Sequence, residues 1–391
     1  MTAAVSASLH MARPSAYLDL WVWIRLANAA QGRAREPVDE QALAAVRQAS
    51  AAGVVFPLCS THYIEIFRIN DPRQRHDVAR IMMEVSRGRT LRGGRDLLRH
   101  QFLVAMHESF GRPAFRPALP QVVGCGAGWA FTGVQGGLGL RDSDGRIVDP
   151  SSIPGGERLL RLANQFTEFR LLAGPRDEEI EDLRRHGYRP ETTEEATRSR
   201  IAWEEALRDR LAAAPISRQE LRVWALGREM AHEHLELFDG LLCEYRIDLH
   251  REIGYTEDRP RSGRAAMVAF ADRVPSLRIA ADLKVELFRS AKPWTVNAMH
   301  DIDALSAAVP YCHLVVPDSE MADLLARSKA GQRCGTQILS KLNRLPQALS
   351  GLTEQARQLN APADGWELTL PGEAFCTDEA VLQTAALKAA G

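Results

Sequence analysis

The chain has 391 residues, a formal net charge of −1 and 25% charged side chains, which is the composition of a globular protein with one large or two ordinary domains. A charge near zero excludes a general electrostatic attraction to nucleic acid, so any such contact must come from a local basic patch. The scattered cysteines form no CxxC pair, and neither a secretory signal nor an apolar run of ~20 residues is present, so we expect a cytoplasmic protein with reduced thiols and no membrane partner.

The first predicted elements are two strand-to-helix junctions that each deliver an acid. Residues 16–18 predict a strand that ends at Asp19, and the apolar segment WVWIRLANA after it predicts a helix. Residues 54–58 predict a second buried strand, and Ser60 or the next residue is expected to cap a helix that carries Glu65 in its first two turns. Loops at the carboxyl ends of parallel strands converge on one crevice, so both acids are candidates for one site.

A basic stretch, RGRTLRGGRDLLRH, follows a further predicted helix that begins near residue 72. Its guanidinium groups either form a solvated surface or contact phosphates beside the acids, where they would position a strand without reading its sequence. The residues assigned to this second interpretation are Arg68, which precedes the stretch, and Arg89, Arg92 and Arg95 within it.

The middle of the chain changes composition twice. Residues 113–153 are rich in Gly and Pro and predict a loop with short strands, because their GxGxG lacks the spacing and acidic partner of a dinucleotide-binding motif. Residues 156–253 have helical periodicity, with capping boxes that begin at Thr192 and Ser217, and the second capped helix is expected to run on through Leu241. Its EMAHEHLE segment puts acids and histidines on one face, which we interpret as a solvated charged surface because no second ExxH helix accompanies it.

The last acid-bearing helix lies in the segment WTVNAMHDIDALSAAVP. Asn297 is its expected N-cap, and Asp301 and Asp303 follow in its first turns. His300 adjoins Asp301, so it is a candidate for phosphate contact or proton transfer. Asp303 is the weaker candidate acid, since two positions along a helix turn its side chain well away from that of Asp301.

The strand after this helix delivers the final acid. Residues 314–316 form an uninterrupted β-branched run typical of a strand buried on both faces, and Asp318 follows it. Two carboxylates at ~5 Å repel by about 3 kcal/mol at an effective dielectric near 20, so the convergence of several acids predicts a divalent cation between them. Hard oxygen ligands favour magnesium or manganese over zinc.

These motifs, in this order, resemble the PIN-domain ribonucleases. The family's chain opens with a strand that ends in a metal-binding Asp, places a Glu early in the helix after the second strand, and ends with an Asp-bearing helix and a strand closed by Asp. The chain differs from the family at Trp21, where an Asn is often found, and at Ala298, where some relatives carry an extra Asp. The segments YLDLWVWIRLA, STHYIEIFR, NAMHDIDALSAAVPYC and LVVPD supply the four main acids, which are Asp19, Glu65, Asp301 and Asp318.

The resemblance implies an α/β fold, with a PIN-like three-layer α/β/α domain around a central, mainly parallel sheet. It also implies endonucleolytic hydrolysis of RNA that leaves 5′-phosphate and 3′-hydroxyl ends, with a metal-held water as the nucleophile. By this resemblance, Mg²⁺ or Mn²⁺ would be bound directly by Asp19, Asp301 and Asp318, and directly or through water by Glu65. The accessory candidates near these acids are Asp303, His300, Asn297 and Ser60.

The same resemblance sets the expected domain boundaries. It covers residues 14–115 and 264–350, so a Gly/Pro-rich segment and mainly α-helical insertion at 116–263 would divide the PIN-like domain in sequence. Residues 1–13 are expected to be a flexible leader, and residues 351–391 a C-terminal appendage of unknown use.

Three functions remain open from the sequence. The first is a metal-dependent endoribonuclease, for example a toxin or an antiviral defence effector, which acts on single-stranded or structured RNA and allows a regulatory protein partner and a homodimer. The second is a catalytically inactive PIN-like binding or regulatory module, which the differences from the family at Trp21 and Ala298 favour. The third, a phosphotransferase or phosphatase on a doubly wound sheet, is disfavoured because no GxxxxGK[ST] loop is present.

Overall fold

The computed structural model describes residues 9–212, 216–254, 256, 258, 260–290 and 292–359. Within these residues the chain forms two compact units, and each unit is assembled from separate segments of the sequence. The sheet unit comprises Arg13–Leu91, Val123–Arg189 and Lys341–Gly391, and the helical unit comprises Met1–Ala12, Arg92–Val122 and Pro190–Ser340, insofar as these residues are described.

Helices account for most of the described chain, and the strands are short. The strands are β1 (Ala16–Leu18), β2 (Arg89–Leu91), β3 (Val123–Cys125), β4 (Leu140–Arg141), β5 (Ile147–Val148), β6 (Leu314–Val316) and β7 (Gln337–Ile338). The helices are α1 (Leu20–Ala30), α2 (Pro37–Ala51), α3 (Ser60–Glu65), α4 (Pro72–Ser86), α5 (Gly94–Phe110), α6 (Gly126–Thr132), α7 (Gly156–Ala173), α8 (Asp177–Arg185), α9 (Glu191–Ala212), α10 (Arg218–Arg228), α11 (Leu235–Glu244), α12 (Leu249–Glu252), α13 (Pro260–Ala271), α14 (Pro275–Arg289), α15 (Val296–Ala308), α16 (Ser319–Ser328), α17 (Ala330–Cys334) and α18 (Leu345–Gln358).

The sheet unit is organised on a short parallel arrangement of extended segments. The amide of Ala16 in β1 donates to the carbonyl of Val55 at 2.9 Å, and the amide of Leu58 donates to the carbonyl of Arg89 in β2 at 2.9 Å. The extended segment 54–58 therefore connects β1 to β2 in parallel, and β3 pairs with β2 in the antiparallel direction. β1 is buried along its whole length, as expected of a strand without a solvent face, while α1 packs on α2 and α4.

The core of the helical unit is aromatic. The rings of Phe102 in α5 and Phe270 in α13 are almost parallel with centroids 6.1 Å apart, and the ring of Phe238 in α11 lies 5.5 Å from that of Phe102. Each ring removes a large apolar area from water, and the offset contacts among them add to that stabilisation. α14 packs on α10 and α15, and the buried strand β6 pairs with β7 in parallel.

The predicted α/β class is confirmed at the level of a mixed α/β protein with a small parallel sheet. The capping box at Ser217 is also confirmed, because its hydroxyl accepts from the amide of Glu220 while the Glu220 carboxylate accepts from the amide of Ser217. The finer expectation, a three-layer PIN-like arrangement, stays a prediction.

Three predictions about local structure are wrong. The helix that begins after Ser217 does not run on through Leu241, because α10 ends at Arg228, a π-helical turn spans Glu229–Glu233, and α11 begins at Leu235. The expected solvated face of this segment is also wrong for Glu229, which is 3% exposed and pairs with a buried lysine. The Gly/Pro-rich segment is not only loop and short strands, since α6 forms at its GxGxG motif.

The predicted domain boundaries stay a prediction, and the two compact units group the segments in a different way. In the leader at 1–13, residues 1–8 lie outside the described residues, whereas Met11 is buried and its amide donates to the carbonyl of Tyr311 at 3.1 Å within the helical unit. In the appendage at 351–391, α18 extends to Gln358, and residues 360–391 lie outside the described residues.

Candidate functional site

Asp19 stands where β1 passes into α1. It is the N-cap residue of α1 with extended backbone angles, and its side chain is partly exposed, whereas Tyr17 and Leu18 before it are buried. The Leu18 carbonyl lies 2.9 Å from the indole nitrogen of Trp23 and 2.9 Å from the Nε2 atom of His62. Two side chains thus hold the peptide that precedes Asp19, so the position of this carboxylate is fixed by buried neighbours.

His62 connects the end of β1 to the start of α3. Its ring is completely buried, its Nδ1 atom accepts from the Cys59 amide at 3.1 Å, and its Nε2 atom is directed at the Leu18 carbonyl. Because Nδ1 is the acceptor of a backbone N–H, the hydrogen bonds describe a neutral ring with the proton on Nε2. Glu65 lies in the same short helix, so His62 links the backbone that carries Asp19 to the helix that carries Glu65.

The electric fields of both carboxylates act on the same buried groups. Burial lowers the pKa of His62, whereas Cys59, Asp19 and Glu65 act in the opposite direction and raise it. Burial also raises the pKa of Tyr17, and the same two carboxylates and Cys59 raise it further. Because Coulomb interactions weaken with distance, their shared effect on His62 and Tyr17 indicates that Asp19 and Glu65 belong to one neighbourhood of the sheet unit.

Cys59 completes this buried cluster. Its Sγ atom lies 2.8 Å from the Thr61 hydroxyl, 3.5 Å from the Tyr17 hydroxyl and 3.5 Å from His62 Nδ1. Burial raises the pKa of the thiol, but His62, Thr61 and Tyr17 lower it more, so that it lies below its usual value. His62 and Cys59 were not predicted from the sequence, although the Cys-x-x-His spacing at a strand-to-helix junction indicates them.

Asp318 belongs to the helical unit and acts as a cap. It follows β6, and its Oδ1 atom accepts from the Met321 amide at 2.7 Å at the start of α16. A carboxylate at a helix N-terminus is stabilised by the amide hydrogens and the helix dipole, so this contact explains an acid at this position without any ligand.

The other candidates of the helical unit lie on α15, where Thr295 rather than the expected Asn297 is the N-cap, since its hydroxyl accepts from the Ala298 amide at 3.1 Å. Asn297 is exposed in the first turn, and Asp301 is partly exposed one turn later. His300 is 3% exposed, with its Nε2 atom 3.4 Å from the Thr197 hydroxyl on α9, so its ring is directed into the unit.

Asp303 is held in an ion pair on the same helix. Both of its oxygens accept from the guanidinium of Arg200 at 2.7 and 2.8 Å, and the same guanidinium donates to Glu233 at 2.9 Å. Such a two-point contact between planar groups fixes α15 against α9, so structure alone explains the presence of Asp303.

The predicted phosphate-contacting arginines are dispersed. In the helical unit Arg92 donates to Asp96 at 3.0 Å, and the exposed Arg95 lies 3.4 Å from Glu236. In the sheet unit Arg68 is exposed in the turn after α3, and Arg89 is partly buried in β2. Exposed ion pairs are weak and exchange readily with other anions, so these contacts leave the nucleic-acid role a prediction.

The described residues contain no group of three or more His, Cys, Asp or Glu side chains arranged to hold a metal ion. Carboxylates are the ligands that Mg²⁺ and Mn²⁺ prefer, so the donor chemistry of the pair Asp19 and Glu65 fits these ions. The expected N-cap at Ser60 or the next residue is wrong, because Cys59 is the N-cap of α3 and Ser60 is its first, partly exposed residue. Among the helices described, none combines the length and the apolar character that crossing a membrane requires.

Asp19 and Glu65 therefore form the part of the candidate site with the clearest structural basis, since buried neighbours position them and both act on His62. Asp301 and Asp318 belong to the helical unit, where one is partly exposed on a helix and the other caps one. We found no family model, no curated protein and no solved structure that matches this chain.

Proposed function

We propose that this protein is a metal-dependent endoribonuclease that hydrolyses RNA phosphodiester bonds. The observation that carries the proposal is the pair of partly exposed carboxylates, Asp19 and Glu65, at the carboxyl end of a buried strand and in the helix fixed to that end by His62. Acids that a fold places at strand ends, next to a buried titratable ring, are a common basis of catalytic sites. The motif order of the sequence supports the assignment to RNA.

In this proposal the acidic residues and His62 have separate roles. Asp19 and Glu65 supply hard oxygen ligands, and Asp301 and Asp318 are the further acids that the motif order assigns to the same reaction. His62 acts as a positioning residue, because it contacts the backbone before Asp19 and not a substrate. When bound at carboxylates, Mg²⁺ or Mn²⁺ lowers the pKa of water and stabilises charge on a phosphodiester. We further propose a cytoplasmic role as a toxin or defence effector, which a protein partner or a homodimer would control.

The direct test is cleavage of single-stranded RNA and DNA by the full chain with magnesium or manganese. Asp19→Asn and Asp301→Asn are each expected to lower cleavage by at least about 100-fold, since each removes a charged ligand. Asp323→Asn is the matched control, because Asp323 is an exposed acid on α16 that follows the Asp318 cap. Cleavage that survives both substitutions, or excess chelator, would exclude the proposal.

A second candidate function is an inactive binding or regulatory module. Two observations favour it: Trp21 and Ala298 replace polar residues of the related motif, and the described residues lack a three-ligand metal group. This function predicts no cleavage of any nucleic acid and no bound metal, with RNA binding that is unchanged in Asp19→Asn.

A further inference from the structure

The helical unit contains a cavity of about 580 Å³. It lies along α10, the π-helical turn and α13, and its apolar lining comes from Val223, Trp224, Leu226, Met230, Met267 and Val268. Cavities that bind small molecules usually measure roughly 300–1,000 Å³ and are lined mainly by apolar side chains with a few polar groups. The volume and the lining are therefore those of a small-molecule site.

The polar groups of this cavity are positive. Arg210, Arg228 and Arg264 line it together with His232, and none of the described lining residues is acidic. Arg210 and Arg264 are exposed, and within the described part of the chain neither makes an ion pair or a side-chain hydrogen bond. Arg264 nevertheless lies close enough to Glu220 that, after the hydrogen bonds from Ser217, its charge also lowers the pKa of that carboxyl. Two guanidinium groups at the edge of an apolar cavity attract an anionic head group.

The charges beneath the cavity are already balanced. Lys284 is 1% exposed, and its Nζ atom pairs with Glu229 and lies 2.8 Å from Glu204. Arg228, whose side chain is 11% exposed, lies 3.5 Å from the second oxygen of Glu204. Two cations and two carboxylates thus neutralise each other, and the positive charge of Arg210 and Arg264 is additional to that cluster.

The π-helical turn gives the cavity its form. Glu229 begins the turn and pairs with Lys284, and the widened turn presents Met230, Ala231 and His232 to the cavity. Such turns are rare and occur often at functional sites. Met230 and Met267 are unbranched and flexible, so they adapt to an acyl chain better than to a rigid planar ring.

We infer that this cavity binds a small organic anion with a flexible apolar body, of the class of a medium-chain carboxylate. The acyl chain lies against the methionines and Val268, and the carboxylate is held by Arg210 and Arg264. The inference concerns the helical unit alone and is independent of the nuclease proposal, so a failure of either leaves the other in place.

The test compares three probes by isothermal titration with the full chain, with decanoate below its micelle concentration and decanol below its solubility limit. Decanoate is expected to bind at one site, decanol is expected to bind at least roughly tenfold more weakly, and inorganic phosphate is expected to show no measurable binding, because the site requires both the charge and the apolar body. Equal binding of decanoate and decanol would overturn the inference, as would the absence of decanoate binding.

Two substitutions locate the site. Arg264→Gln is expected to weaken decanoate binding roughly tenfold and to reduce its salt dependence, since it removes one exposed cation from the cavity. Arg261→Gln is the matched control, because Arg261 is exposed on the same helix but does not line the cavity. Binding that responds equally to the two substitutions, or to neither, would show that decanoate binds elsewhere and would overturn the inference. Trp224 gives a second readout, because it lines the cavity and decanoate should change its fluorescence.

Discussion

The two units bury polar groups by different means. The sheet unit buries His62, and its hydrogen bonds describe a neutral ring whose partners are the backbone carbonyl of Leu18 and the backbone amide of Cys59. The helical unit buries the cation Lys284 against two carboxylates, Glu204 and Glu229, which are themselves only 4% and 3% exposed. The sheet unit thus pairs its buried side chain with backbone dipoles, whereas the helical unit pairs its buried side chain with full charges.

This difference determines what a single substitution leaves behind. Removing the ring of His62 leaves the buried Cys59 amide without a hydrogen bond, at a cost of about 1–3 kcal/mol, while the Leu18 carbonyl keeps its hydrogen bond from Trp23. Removing the cation of Lys284 leaves two buried carboxylates, Glu204 and Glu229, with Arg228 as the remaining cation of the cluster, so one buried charge is unpaired, which costs about 3–5 kcal/mol. The helical unit is therefore expected to lose more stability than the sheet unit when one partner of its buried group is removed. The intact Lys284 cluster need not stabilise the protein more than the hydrogen bonds of His62 do.

Lys284→Met has the largest expected effect. The substitution keeps the length of the side chain and removes its charge, so the free energy of unfolding of the helical unit is expected to fall by about 3–5 kcal/mol. Urea unfolding measured by near-UV circular dichroism gives the change, and the two units need not unfold together.

Two further variants sharpen this test. Lys292→Met is the control, because Lys292 is an exposed lysine 2.8 Å from Glu320, and its loss is expected to cost about 0–1 kcal/mol. The double variant Lys284→Met, Glu229→Gln is expected to recover most of the lost stability, since it removes the unpaired carboxylate and leaves Glu204 paired with Arg228. A double variant no more stable than Lys284→Met would show that packing, not charge, explains the loss.

His62→Ala has the second largest effect. The free energy of unfolding is expected to fall by about 2 kcal/mol, because the Cys59 amide loses its hydrogen-bond acceptor and the Leu18 carbonyl loses one of its two donors. If Asp19 and Glu65 form a nuclease site, cleavage of RNA per folded molecule should fall as well, while KM changes little, because His62 positions the carboxylates without touching substrate.

His62→Gln and His186→Ala are the paired controls. A glutamine side chain carries both a donor and an acceptor, so it is expected to recover part of the stability and of the cleavage. His186 is exposed on the sheet unit with its Nδ1 atom 2.9 Å from the Asp182 carbonyl, and its removal is expected to change little. Full stability in His62→Ala would contradict the role given to this ring.

The difference between local patterns and tertiary contacts explains which features could be predicted from the sequence. The strands at 16–18 and 314–316 and the acids that follow them were predicted, because a strand buried on both faces shows itself as a continuous apolar run. The π-helical turn was not predicted. Periodicity in the sequence does not show that Glu229 pairs with Lys284 on a distant helix. The mutual arrangement of acids that lie far apart in the chain is hidden for the same reason, since it depends on tertiary packing.

Asp303→Asn is expected to have a smaller effect. Arg200 would keep its ion pair with Glu233 and lose its two-point contact with Asp303, whose side chain is 39% exposed. Because water screens much of this contact, the free energy of unfolding is expected to fall by about 1 kcal/mol. RNA cleavage per folded molecule should remain near that of the unsubstituted protein. A loss of cleavage at full stability would instead assign Asp303 to the site.

At neutral pH the smallest effect is that of His313, which appears only as the pH falls. Burial and then the nearby charge of His10, whose ring centroid lies 4.6 Å away, lower the pKa of His313 to about 4 from the usual value near 6.5. As the pH falls, the unfolded chain binds a proton at His313 before the folded chain does. The contribution of neutral His313 to the free energy of unfolding is therefore complete above pH 6.5 and is lost as the pH falls toward 4. His313→Gln should therefore lose less stability than the unsubstituted protein between pH 7 and pH 4, measured by thermal unfolding. Parallel pH profiles for the two proteins would show that His313 is equally accessible to protons in the folded and unfolded chains.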